Sequence, residues 1–140
     1  MSVADELACQ RLVVDSAAHN DARDWPALAA LYAEDAVLTR PSGEQVVGRA
    51  AIEASYAAGP ATRRTRHVVS NFRFTSGHVS NARGESSVVV YSWDVDREPD
   101  PRFGYPLDPR LLVGDFVDEF VRTQDGWRIG SRTATLAAHS

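Results

Sequence analysis

With 140 residues the chain has the length of one domain that can bury a substantial core, and 44% hydrophobic against 24% charged residues is the balance of a soluble globular protein. The net charge of -4 is mild and the basic residues are scattered, so no nucleic-acid footprint is expected. All 15 basic residues are arginine, which excludes a Schiff-base or P-loop lysine; one cysteine and four histidines in no metal-ligand spacing leave no zinc motif.

No apolar run approaches the roughly 18 residues needed to span a bilayer. Residues 1–10 carry Asp5 and Glu6 and lack a signal peptide's layout. Cys9 has no second cysteine to pair with. A cytoplasmic protein is expected, with no membrane partner. Any catalysis must come from histidine, carboxylates, hydroxyls and arginine, without a cofactor or metal.

In chain order, residues 3 to about 20 read as a helix, with Val3, Leu7, Val14 and Ala18 as the apolar stripe and Leu12 and Val13 broadening it. Asn20 to Arg23 reads as a turn. Asp24 then caps a second helix, because Pro26 in its first turn has no N–H to satisfy. That helix is predicted to run to about Ala33, burying Leu28, Leu31 and Tyr32. Val37–Thr39 and Gln45–Val47 flank a Pro-Ser-Gly-Glu turn and predict a short hairpin. A third helix is expected over about 50–58, ended by Gly59-Pro60.

The pattern then turns to period two. Strands are predicted over 65–74, 79–95, 111–122 and 127–135, with Gly77 and Gln124-Asp125-Gly126 as turns. Residues 96–109 hold four of the seven prolines and form a loop too long for a simple hairpin, in the manner of a lid or an interface arm. Three helices followed by a long meander predict an α+β fold: a curved mixed or antiparallel sheet wrapped as a cone round the helices and enclosing a pocket. Leu112, Phe116 and Phe120 alternate with Val113, Val117 and Val121, so both sheet faces are apolar and the outer one calls for a second subunit, a homodimer.

His67 is the leading candidate for chemistry. Period two places Thr65, His67, Val69 and Asn71 on one face, so the imidazole would project from a rigid sheet into the pocket. Imidazole can take and return a proton near neutral pH. The alternative is a histidine that only hydrogen-bonds within the core. Asp21, after the first helix, could fix the ring's tautomer and stabilise an imidazolium; alternatively it serves the local Asn-Asp turn. His78, His139 and His19 carry weaker signals, and Asp24 and Asp35 read as a cap and a turn. Tyr32, Tyr56, Tyr91, Trp93 and Phe116 could shape an aromatic pocket for a small ring-like substrate or could simply be core; Arg132 and Asp115 are possible polar contacts.

Four segments together resemble the SnoaL-like branch of the nuclear transport factor 2-like superfamily: Asn20-Asp21-Ala22-Arg23-Asp24-Trp25-Pro26-Ala27-Leu28, Glu34-Asp35-Ala36-Val37, Val47-Gly48-Arg49 and Asp125-Gly126-Trp127-Arg128-Ile129. The resemblance spans about residues 5 to 136 and implies the cone fold, while that scaffold hosts enzymes and non-enzymes alike. Scytalone dehydratase and hexachlorocyclohexane dehydrochlorinase in this group use an Asp–His dyad that falls on Asp21 and His67, and the dehydrochlorinase has an asparagine matching Asn71. The resemblance thus implies a lyase or isomerase in which His67 removes a proton. A second pocket histidine of scytalone dehydratase falls near Ser92 and a tyrosine near Arg40, which implies a different substrate, with Arg40 among its contacts. It equally leaves open a non-catalytic subunit like the small subunits of ring-hydroxylating dioxygenases, and polyketide cyclase or ketosteroid isomerase chemistry.

Overall fold

A computed structural model describes residues 1–140. Helix α1 (Val3–Asp21) starts at a capping box: the Ser2 side chain accepts from the Asp5 N–H and the Asp5 carboxylate accepts from the Ser2 N–H. Helix α2 (Trp25–Ala30) is capped by Asp24, whose carboxylate accepts from the Ala27 N–H, with Pro26 in the first turn as expected. Then follow β1 (Tyr32–Thr39), β2 (Gln45–Val47), α3 (Arg49–Ala57), β3 (Arg63–Gly77), β4 (Asn81–Asp94), β5 (Leu112–Thr123) and β6 (Gly126–His139). The six strands form one mixed sheet in the order β2-β1-β6-β5-β4-β3, antiparallel except for β1 against β6. It curves round the three helices as the cone predicted, and is not closed, so β3 keeps a free edge beside α1.

Two sequence expectations are corrected. The second helix stops at Ala30 rather than Ala33, because the Ile129 N–H takes the Leu31 carbonyl and Tyr32 pairs with Ile129. Tyr32 is therefore a strand residue, fully buried. The buried face of α1 is Cys9, Leu12, Val13, Ser16 and Ala17. Val3, Leu7 and Val14 of the predicted stripe are 73%, 59% and 52% exposed. Apolar residues cover most of this helix's circumference, so periodicity could not rank the two faces; the sheet chose between them.

The core centres on Tyr32, Leu28, Ile52, Phe120 and Ile129, with Phe72 and Phe74 packed against it in a cluster with Phe120. Cys9 lies in this core, and desolvation, with the Asp5 charge adding, pushes its thiol up to about 12. In the native protein this thiol should resist disulfide-exchange reagents at mildly alkaline pH, and one thiol per chain should react once concentrated guanidinium chloride unfolds it. Rapid native labelling would place Cys9 outside the core.

Asp5 also fastens α1 to the sheet. Its carboxylate accepts from the Trp127 indole N–H at 3.0 Å and pairs with the Arg122 guanidinium, which lies over the Trp127 ring. The Trp127 bond, the Ser2 N–H and Arg122 hold the carboxyl well below the usual range against a smaller opposing effect of desolvation. A carboxyl depressed in the folded state adds stability above its unfolded pKa, and that stability is lost as pH falls through the folded value. Asp5→Ala should therefore lower the melting temperature at neutral pH, and the gap from wild type should narrow steadily below about pH 4. A gap of constant size down to pH 2 would refute this role.

On the outer sheet face, Val68, Val89 and Val113 lie in register, with Tyr91 opposite Arg66 in the adjoining row. Val68, Tyr91 and Val113 are 47%, 39% and 37% exposed. The loop 96–109 folds back on itself through an Asp100–Gly104 bridge, is tied to β4 by the Asp108 N–H on the Ser92 carbonyl, and leaves Phe103 exposed.

Candidate active site

Helix α1 ends in a Schellman arrangement: the Arg23 N–H donates to the Asn20 carbonyl and the Asp24 N–H to the His19 carbonyl. The left-handed position is filled by Arg23 at φ 58 rather than by glycine. Its guanidinium donates to the Pro60 and Arg63 carbonyls at 3.2 Å each and lies over Trp25, contacts that hold the residue in a conformation non-glycine residues avoid. The helix thus stops immediately after Asp21, and its last side chain faces the start of β3.

A carboxylate at a helix C-terminus meets the unfavourable end of the macrodipole. At Asp21 this is offset by donors from β3. The Thr65 hydroxyl donates to Oδ1 at 3.0 Å, the His67 backbone N–H to Oδ2 at 3.0 Å, and the His67 ring Nδ1 lies 2.6 Å from Oδ1. An ionised carboxylate only accepts, so Nδ1 carries the proton and Nε2 is left as the basic nitrogen. Nε2 has no hydrogen bond within the protein. The two side chains are 13% and 14% exposed, and Arg66 adds a distant positive charge 4.0 Å from Oδ2.

Asp21 and His67 border a hollow of about 650 Å³ between α1 and β3, walled by Val14, Ala17, Ala18 and Val69. It is open to solvent, rather than enclosed as the sequence suggested. Its wall is mostly apolar.

The other candidates lie in five separate places. Tyr56 stacks on Trp25 with centroids 6.3 Å apart, and both border a small cleft with Thr65, the residue that donates to Asp21. Asn71 departs from the expected face: it sits at φ 54 in a β-bulge of β3, is exposed, and hands the inward positions to Phe72 and Phe74. It borders a second, smaller cavity, with Val69 and Ser86. Trp93 pairs with Arg64 on the face opposite buried Ser92, away from the dyad's side of the sheet. Arg40 follows β1, four strands from β3, with its Nε buried and unbonded.

Tyr32 and Phe116 belong to a polar cluster inside the cone that the sequence only partly disclosed. Arg132 is 3% exposed; its Nε and Nη2 donate to the Asp118 carboxylate at 2.7 and 2.9 Å, and its Nη1 donates to Ser16 at 3.0 Å. Phe116 covers the guanidinium at 4.0 Å. Burial, the largest single effect, would lower the arginine's pKa, but the charge and hydrogen bonds of Asp118 together with the nearby Tyr32 and Tyr56 hydroxyls outweigh it and hold it above its ordinary value. Burial, with smaller effects of Tyr56 and Asp118, pushes the Tyr32 hydroxyl well above its usual range, and that hydroxyl has no partner. Asp115, the carboxylate read as a possible contact, is exposed on the other face. Asp118 was missed, although it stands between Phe116 and Phe120 on the inward period-two face, where a carboxylate demands a cation. No three His, Cys, Asp or Glu side chains converge as metal ligands, and no helix is long and apolar enough to cross a membrane.

Comparison with known proteins agrees with this architecture. A family profile described as a SnoaL-like domain matches residues 1–133. No curated protein matches the sequence. Among solved structures, the chain is similar to a protein assigned as an aromatic ring hydroxylase from Novosphingobium aromaticivorans, with a TM-score of 0.82 and 24% identity over 100% of this chain and 94% of that one. It is also similar to a protein assigned as a scytalone dehydratase from the same organism, at 0.81 and 22% over 99% and 87%. A type 2 hexachlorocyclohexane dehydrochlorinase matches at 0.79 and 18% over 99% and 92%. At these identities the likeness is one of fold.

Proposed function

The chain belongs to the SnoaL-like domain family, within the nuclear transport factor 2-like superfamily, and on that premise we propose that it is a cofactor-free lyase or isomerase with His67 as general base and Asp21 as its orienting partner. The observation that carries this is the 2.6 Å contact between His67 Nδ1 and Asp21 at the border of an apolar-walled hollow. A carboxylate gripping one ring nitrogen leaves the other free to take a proton, and stabilises the imidazolium that results. The substrate is a small, largely apolar, cyclic metabolite with an acidic C–H beside a carbonyl. Nε2 removes that proton; the electron pair left on carbon forms a C=C bond as a hydroxide on the neighbouring carbon departs, taking the proton to leave as water. Without a leaving group the proton returns at another carbon, which is isomerisation.

The apolar outer sheet face fits a homodimer, and the lone buried thiol fits a cytoplasmic protein. Incubation with a panel of cyclic β-hydroxyketones and cyclic enones in D₂O tests the chemistry by mass spectrometry. Loss of water or deuterium uptake that His67→Gln abolishes is expected. Absence of both across the panel, together with stable co-elution with a larger iron-containing protein, would instead make the chain an assembly subunit.

A further inference from the structure

The Asp21 carboxylate has two oxygens, and one of them serves the ring. The His67 Nδ1–H donates to Oδ1 at 2.6 Å, so rotation of the carboxylate about its Cβ–Cγ bond decides whether the dyad is made. That torsion is soft in aspartate, without sharp staggered wells. The His67 backbone N–H does not fix it, because it lies between the two oxygens, 3.2 Å from Oδ1 and 3.0 Å from Oδ2. Arg66 does not fix it either: its Nε stands 4.0 Å from Oδ2 and 68% of its side chain is exposed. The Thr65 hydroxyl differs from both. It donates to Oδ1 alone, at 3.0 Å, from two positions before His67 on the same face of β3. A β-branched side chain on a strand is stiff at χ1, so this donor is itself held in place.

We propose that Thr65 is a positioning residue for the proton transfer: its hydroxyl sets the rotation of the Asp21 carboxylate so that Oδ1 faces Nδ1 and the ring proton stays there. Two donors on Oδ1 share its negative charge, which makes that oxygen a poorer proton acceptor and leaves the proton between it and Nδ1 on the ring. Nε2 then keeps its lone pair for the substrate. Thr65 acts through Asp21 and not on the substrate. It does not border the hollow beside the dyad; it borders the separate small cleft lined by Trp25 and Tyr56. This role rests on the reading of Asp21 and His67 as the reacting pair, while the orientation itself is observable without turnover.

Thr65→Val keeps the shape and removes the donor, whereas Thr65→Ser keeps the donor and removes the methyl. Labelling the histidine rings with ¹⁵N reads the dyad directly, and His67→Gln assigns its signals. In wild type, His67 should be the Nδ1–H tautomer, with its Hδ1 proton far downfield and slow to exchange with water. In Thr65→Val that proton should move upfield and broaden, and the ring should become a mixture of tautomers; Thr65→Ser should keep the wild-type signature. Thr65→Val should also lower kcat by about tenfold or more with KM within about twofold, since nothing that lines the hollow has changed, and Thr65→Ser should retain most of the rate. Thr65→Ala, which adds no bulk, gives the same readout if the valine variant does not fold. A folded Thr65→Val with the wild-type tautomer and a sharp Hδ1 signal would overturn the proposal. So would a Thr65→Ser no better than Thr65→Val, because the methyl and not the hydroxyl would then matter. The expected signatures without turnover of any cyclic β-hydroxyketone or enone would leave Thr65 as the orienting residue and remove the lyase reading. A wild type in the Nε2–H tautomer would refute the dyad, and this role with it.

Discussion

His67→Ala is expected to lower kcat/KM by about 10²–10⁴-fold while circular dichroism and the melting curve remain those of a folded protein. The ring lies at the free-edge strand beside an open hollow rather than in the central core, so its removal takes away the base without emptying a tightly packed site. Asp21→Asn should be nearly as damaging, for a different reason. The amide can donate where the carboxylate only accepts, so it can present N–H to Nδ1 and shift the ring proton to Nε2, the nitrogen that must be free. The backbone N–H of His67 and the Thr65 hydroxyl also lose their charged acceptor. Turnover within threefold of wild type in either folded variant would remove His67 and Asp21 from the reaction.

The second large effect concerns stability. Asp118→Ala should destabilise the domain by about 3–5 kcal/mol, because it leaves the Arg132 guanidinium charged, 3% exposed and without its bidentate partner. For a domain of this size that amounts to a fall of about 10 °C or more in melting temperature. Replacing both partners with apolar residues of similar volume, Asp118→Leu with Arg132→Met, should recover most of the loss, since no charge is then stranded. Urea denaturation of the two single variants and the double variant measures this directly. A single Asp118→Ala variant as stable as wild type would show that water or another group already satisfies Arg132. The pair also matters to the site: Arg132 holds Ser16 of α1, five residues before Asp21, and so braces the helix that carries the carboxylate.

The comparison of Asp118 with Asp115 shows where reading along the chain stops being sufficient. Both are acidic residues on β5 and alternation puts them on opposite faces, yet only the sheet's packing decides which face is inside. Counting back from the Gln124-Asp125 turn would set Asp118 opposite Ser131. A register shift between Glu119 and Phe120 moves it one place, opposite Arg132. A one-residue bulge thus creates the buried ion pair, and no local signal announces it. The bulge at Asn71 acts the same way on β3, taking that residue off the His67 face.

What the amino-acid order determined by itself was whatever depends on near neighbours. The helix caps at Asp24 and Pro26, the tight turn at Asp125-Gly126, the period-two strands and the order of elements follow from backbone chemistry within a few residues, and so were legible. Asp21 and His67 could be singled out as candidates from residue type together with the family resemblance. Their meeting was not legible: a contact across 46 positions depends on α1 stopping after Asp21 and on β3 lying at the sheet's open edge. Tertiary structure alone decided which side of α1 is buried, that Tyr32 leaves its helix for a strand, and that the Ser86 hydroxyl is buried without a partner. Each is a competition between distant surfaces for the same burial, and local propensity does not rank its outcomes.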